Sequence, residues 1–389
     1  MGARGGLFDG GEGSPTLLGN IESMDTPSPI LPAWSGGCVA DIVPALLQPG
    51  DDTTLLPPDV LDARTVVLLV IDGLGWHQLQ AHARVAPTLH ALAGGPITTI
   101  APSTTSVALT SIVTGTHPGD HGVIGYRIDV DGEVLNLLSW RTPQGDARDR
   151  IVPETFQTVP AFHGERPVVV QNAPFRKTGF TRAHLADTRQ QGWRTLPTLP
   201  VEVRRAVAAG EPFVYAYYDG IDKIAHEFAF GEHYRAELAA VDRMVGELMM
   251  DLPRDAALVI TADHGQVDCT DGRTDFAPEV LAHVNRQSGE ARFRWLHAEP
   301  GHAQELLAAA TDHHQDRAWV RSAAQTIDEG WFGPTMSDIA RSRLGDVAVV
   351  AHDDWWFVDP VEGAQAWLRG RHGSLTPDEM HVPLLFHTS

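Results

Sequence analysis

The chain has 389 residues, 43% of them hydrophobic, enough to bury a full core as one large domain with insertions or as two smaller ones. Its 50 acidic residues against 29 Lys and Arg give a formal charge of −21, a field that repels a polyphosphate backbone and argues against a nucleic-acid polymer as structural partner. The two cysteines, Cys38 and Cys269, cannot build a disulfide framework or a cysteine zinc site and read as ordinary buried or free thiols, whereas 19 histidines leave imidazole-based metal binding open.

Residues 1–60 read as an N-terminal segment. Its start, 1–20, is Gly-rich and carries Asp9 and Glu12 where a signal peptide would have a basic residue and an apolar run. This part is expected to be disordered, with Met24 as an alternative first residue. No apolar stretch approaches the length of a membrane helix. The expectation is therefore a cytoplasmic protein with no membrane partner.

Residues 61–389 read as one domain with insertions. The run 66–71 (VVLLVI) is continuous β-branched and Leu sequence, the pattern of a parallel strand buried on both faces, and it stops at Asp72-Gly73. Residues 102–115 (PSTTSVALTSIVTG) place hydroxyls, Thr104 and Thr105 among them, at the start of a helix, where free N–H groups can hold an anionic oxygen. The stretch 125–199, rich in Arg, Thr and Pro, breaks the pattern and reads as a cap-like insertion, although 168–170 within it is a candidate strand.

The strand form returns at 213–218 (FVYAYY), ending at Asp219-Gly220, and at 257–261 (ALVIT), ending at Ala262-Asp263. Between them Asp222 and His226 stand four residues apart, which puts both on one face of a helical turn. In the helix predicted over 234–250, the stripe of Leu238, Val241, Val245, Leu248 and Met249 is core packing. After Asp263 and His264, Gly265 permits the turn that brings adjacent side chains to one centre. A second elaboration is expected over 269–344, with further strands at 347–350, 355–358 and 382–386 and, before the last, His372 in a Gly-flanked loop. Strands that deliver acids at their C-terminal ends predict a doubly wound α/β sheet, mostly parallel and flanked by helices, with the site at that edge.

Each motif alone has a plainer explanation. An i,i+4 Asp/His pair is usually a solvated surface pair, Asp72 could cap a helix near Gly75, and a Ser/Thr run is usually an N-cap. Together, however, a strand-Asp-Gly, a Pro-x-x-Thr leading to Val-Thr-Gly-x-x-Pro-x-x-His-Gly, an Asp-x-x-x-His, an Asp-His-Gly and a late His-Gly occur in the order found in the type I phosphodiesterase/nucleotide pyrophosphatase branch of the alkaline phosphatase superfamily. From residue 66 to the C-terminus the sequence resembles that branch.

The resemblance implies an alkaline-phosphatase-like fold and two divalent metal ions. Asp222, His226 and His372 would hold one, and Asp72, Asp263 and His264 the other, with Thr105 as a metal-bound nucleophile that passes through a phospho-threonine. Mixed carboxylate and imidazole donors suit zinc better than magnesium or calcium, with manganese or iron as alternatives. A one-residue register shift would nominate Thr104. Where many members of the branch carry an Asn that binds a phosphate oxygen, this chain has Tyr126, whose phenol can donate one hydrogen bond. Lys223, Arg127, Arg176 and Lys177 are further candidates for substrate charge.

The expected substrate is a small phosphate ester, a nucleotide among the candidates. The same metal frame could serve a phosphomonoesterase, a phosphonate hydrolase or a phosphosugar mutase, and the mutase reading is weakened by a threonine where mutases use serine. A sulfatase lacks its Cys/Ser-x-Pro-x-Arg segment here. A non-catalytic metal-binding homologue would leave six ligands and a hydroxyl unexplained.

Overall fold

The computed structural model describes residues 27–50, 54–365 and 367–388. The expectations for 1–20 and for Met24 lie outside these residues. A seven-stranded sheet forms the centre, and its strands in chain order are β1 (Thr65–Ile71), β2 (Ala93–Thr98), β3 (Val168–Asn172), β4 (Arg189–Trp193), β5 (Phe213–Tyr218), β6 (Ala256–Thr261) and β7 (His381–Thr388). Across the sheet the order is β2-β7-β6-β1-β5-β3-β4. Strand β7 alone runs against its neighbours.

Every residue of β1, β5 and β6 is buried, as their unbroken apolar runs require when helices cover both faces. The register aligns their ends: Val70 lies opposite Thr261 and Ile71 opposite Tyr218. The residues that follow, Asp72, Asp219 and Asp263, therefore leave the sheet along one edge. Two helices bring partners there, α1 (Thr105–Thr114), buried along its whole length, and α2 (Gly220–Phe228), against which the long α3 (Glu232–Asp251) packs. In α3 the predicted stripe is core: Leu238, Val241, Val245 and Leu248 are buried.

The two elaborations differ from the sequence expectation in extent. Of 125–199, only 127–146 forms a separate small antiparallel sheet, while β3 and β4 from the same stretch complete one side of the main sheet. Strand β4 (RQQGW) is an edge strand in which Trp193 alone is buried and two of the five residues are exposed, so it lacks the apolar run that marks a central strand. The second elaboration reaches past 344: strands Val284–Glu290, Phe293–Ala298, Ala318–Ser322 and Val347–Ala351 form a four-stranded antiparallel sheet with its own apolar packing around Leu296, Val347 and Phe357. From the N-terminal segment, Val39, Ile42, Val43 and Val60 join the main core. Both cysteines are buried free thiols.

Candidate active site

Asp72 is the first residue after β1 and is 3% exposed. It caps no helix: Gly75 holds the N-cap of the short helix that follows. One of its oxygens, Oδ2, accepts a short hydrogen bond from the Tyr217 phenol, and the other, Oδ1, has no hydrogen-bond partner among the described residues. Asp263, fully buried beyond β6, accepts from the backbone N–H groups of Gly73 and His264 at 3.1 and 3.0 Å through Oδ1, and its Oδ2 is likewise without a partner. Buried polar atoms are nearly always paired, so two orphaned carboxylate oxygens a few ångströms apart need an explanation.

The imidazoles supply it. Each of the three predicted histidines points Nδ1 at a backbone carbonyl: His226 at Gly370 at 2.7 Å, His264 at Gly265 at 3.0 Å, and His372 at Ser103 at 3.0 Å. A carbonyl only accepts, so Nδ1 carries the proton and Nε2 presents a lone pair. Those lone pairs face carboxylate oxygens: His264 Nε2 lies 3.4 Å from Asp72 Oδ1 and 3.6 Å from Asp263 Oδ2, and His226 Nε2 lies 3.3 Å from Asp222 Oδ1. His372 Nε2 is 3.8 Å from the same Asp222 oxygen. Lone pairs facing lone pairs are favourable only around a cation, and a second ring atom tied to a carbonyl is the usual support of a metal-bound imidazole.

Electrostatics point the same way. Burial, then the nearby Asp263 and Asp222 carboxylates, push Asp72 well above the usual carboxylate range. Burial also raises Asp263. His372 is held well below the usual imidazole value by burial, then by His264, whose ring stacks on it at 3.6 Å, and by His226. Bound dications reverse the carboxylate shifts by favouring the ionised form, and they suit the His372 ring as it stands, because the neutral imidazole is the form that binds metal.

The donor atoms of Asp222, His226 and His372 all lie within 4.8 Å of one another, and so do those of Asp72, Asp222 and His264. Asp222, in the first turn of α2, thus belongs to both groups, whereas the resemblance implied it for one and Asp263 for the other. Thr105 is the first residue of α1, and its Oγ1 is 3.1 Å from His264 Nε2. The hydroxyl therefore stands at the carboxylate and imidazole cluster and not in a capping role. Thr104 is the N-cap residue, without a side-chain cap bond, and it lines one cavity together with Glu290. Tyr126 lines a cavity of about 230 Å³ with Thr105, His226 and His372, and its phenol oxygen accepts from Asn136.

The other cations behave differently. Arg127 is committed to a buried ion pair with Asp359 and Glu362, and Arg176 and Lys177 are exposed. Lys223 pairs with Asp219 and lies on the wall of a second cavity that also reaches Asp72 and Thr105. Three contributors escaped the sequence reading. Gln266, two residues past His264, donates to Asp222 Oδ1 at 2.5 Å. Tyr217 sits inside an apolar strand, and Glu290 comes from the four-stranded elaboration, so neither carries a local signal.

A family model described as "Type I phosphodiesterase / nucleotide pyrophosphatase" matches residues 66–375. No curated protein matches in sequence. Among solved structures, murine ectonucleotide pyrophosphatase/phosphodiesterase 5 is similar at TM-score 0.61 and 15% identity, covering 83% of this chain and 88% of that one. An inactive threonine-to-alanine variant of the murine protein is described in complex with AMP. Phosphonoacetate hydrolase from Sinorhizobium meliloti 1021, described in complex with phosphonoacetate, is similar at TM-score 0.60 and 17% identity over 84% of this chain and 90% of that one. Among the described residues no helix is long and apolar enough to cross a membrane. The match across residues 66–375, on a sheet whose C-terminal edge gathers the Asp and His motifs, shows that the chain belongs to the type I phosphodiesterase/nucleotide pyrophosphatase family of metal-dependent hydrolases.

Proposed function

We propose that the chain hydrolyses phosphodiesters through a phospho-threonine on Thr105, with two divalent ions, most simply zinc, held by Asp72, Asp222, His226, Asp263, His264 and His372. The observation that carries this reading is the convergence of three Nε2 lone pairs and the orphaned Asp72 and Asp263 oxygens beside the Thr105 hydroxyl. When bound, such ions supply Lewis-acid stabilisation of the attacking and leaving oxygens and lower the pKa of a coordinated hydroxyl or water.

The chain's own residues do the rest. Thr105 Oγ1 attacks phosphorus in line with the departing alcohol, which leaves with the proton given up by the hydroxyl, and water then cleaves the threonine–phosphorus bond and releases the phosphomonoester that still carries the second arm. Tyr217 holds Asp72 and Gln266 holds Asp222, so that neither carboxylate swings as charge moves onto the phosphoryl oxygens. Tyr126, on the wall beside Thr105, takes the place of the family's amide as a substrate contact.

Thr105→Ala tests this assignment. The variant is expected to lose hydrolysis of bis-aryl and mono-aryl phosphates while keeping its metal, measured by elemental analysis alongside turnover. Retained turnover would transfer the nucleophile's role to Thr104. The wild-type protein is expected to cleave the bis-aryl ester faster than the mono-aryl ester, and the reverse ratio would favour a phosphomonoesterase.

A further inference from the structure

Two cavities meet at the nucleophile. One, of about 260 Å³, is walled mainly by Leu109, Phe175, Phe180, Leu185 and Tyr215, and it reaches Asp72 and Thr105. The other, of about 230 Å³, opens on the His226 and His372 side and is bordered by Thr104, Tyr126, Glu290 and Arg371. Thr105, Leu138 and Asp222 line both, so the two spaces are neighbours. A phosphodiester has two ester arms, and this site has two unlike compartments for them.

Glu290 defines the second compartment. It ends the strand Val284–Glu290, is 7% exposed, and its Oε1 has no hydrogen-bond partner among the described residues. Its carboxyl is pinned from two sides. Thr104 stands beside it on the cavity wall, and Gly373 packs against it so closely that a Cβ there would stand 2.7 Å from Glu290 Cγ and Cδ. A buried, fixed carboxyl oxygen without a partner costs free energy until something polar meets it, which makes it a recognition element.

We propose that the substrate is an unsymmetrical phosphodiester whose apolar arm occupies the first cavity and whose small, uncharged, hydroxyl-bearing arm occupies the second, paired with Glu290. Burial pushes Glu290 up to about 8, so near neutrality it can both donate to and accept from a hydroxyl. The Arg371 guanidinium, stacked on Trp356 at 3.8 Å, borders the same space and sets it against an ammonium group. A carboxylate-bearing arm would meet the Asp222 carboxylate, which lines the same space. This assignment rests on the phosphodiesterase reading of the same site.

The test uses metal-loaded full-length protein and two synthetic diesters that share a nitrophenyl arm and differ in the other, hydroxypropyl against propyl. Wild type is expected to favour the hydroxypropyl diester in kcat/KM by about tenfold, the worth of one buried hydrogen bond. Glu290→Ala should erase that ratio, and Glu290→Gln, which keeps a donor and an acceptor, should retain part of it. A wild-type enzyme with no preference, or a Glu290→Ala variant that keeps the full ratio, overturns the subsite while leaving the phosphodiesterase reading standing. Cleavage of neither diester by wild type overturns that reading and the proposal with it.

Discussion

Gly73 is the position where backbone geometry and chemistry are most tightly joined. It follows Asp72 directly, has φ +73, and its N–H donates to Asp263 Oδ1 at 3.1 Å. An added Cβ would stand 2.8 Å from Gln266 Nε2 and 3.0 Å from both Cα and Cβ of Asp222. The Asp222 backbone cannot easily give way, because its N–H is bonded to the Asp72 carbonyl at 3.1 Å, and Gln266 is held by Asp222 Oδ1. In Gly73→Ala the left-handed conformation costs about 1–2 kcal/mol and the crowding about 1–3 kcal/mol more. The expected loss of folding stability is therefore about 2–5 kcal/mol. A shift of Asp222 relative to Asp72 misplaces two donors at once, and a displacement on the order of 1 Å costs about 100-fold in rate. Urea unfolding midpoints, metal content and kcat/KM for a bis-aryl phosphate, measured on the same preparation, read the three effects separately. A variant with wild-type stability and kcat/KM within about twofold of wild type would refute the claim that Asp72 and Asp222 must keep this spacing.

Tyr217→Phe removes the donor to Asp72 Oδ2 and leaves that oxygen unpaired in a buried site, so metal affinity or kcat should fall about 10- to 100-fold, checked by metal titration with activity as readout. Chelation should lower the thermal midpoint, and the stabilisation on adding metal back should be larger at pH 7 than at pH 5. The sign follows from the raised Asp72 and Asp263: their metal-free fold is most favourable below the unfolded carboxylate pKa of about 4, and that contribution is lost as pH rises through the folded values, where a dication restores it. His372, held low, is already the neutral ring that a metal takes and adds little to this difference, so the carboxylates set its sign; calorimetric scans at both pH values decide the matter. Arg292 and Glu379 form a fully buried ion pair under the loop that carries His372, and Arg292→Ala, which strands the carboxylate, should cost about 3–5 kcal/mol in denaturant unfolding.

Much of this site was legible before any coordinates. Strand β1 announces itself because burial on both faces forbids polar residues until the sheet ends, and the first polar residue after it is Asp72. The pair Asp222 and His226 was placed on one helical turn by spacing alone, and α2 holds it there. What could not be read depends on long-range assembly. Glu290 lies in VNRQSGE, a strand with no clean alternation, and its value comes from how a separate sheet folds over Thr104 and Gly373. Tyr217 is one of three tyrosines in an apolar run, and only the register against β1 brings its phenol to Asp72. Strand β4 escaped because an edge strand with Trp193 alone buried carries too little hydrophobic signal. The sharing of Asp222 between two donor groups is likewise a matter of ångströms, which spacing along a chain does not encode.

The account stands most directly on where cations bind. Anomalous diffraction at the zinc edge from crystals of the metal-loaded protein should show two peaks on the order of 4 Å apart, one by Asp222, His226 and His372 and one by Asp72, Asp263 and His264, beside Thr105 Oγ1. A single peak, or density away from these side chains, would contradict it.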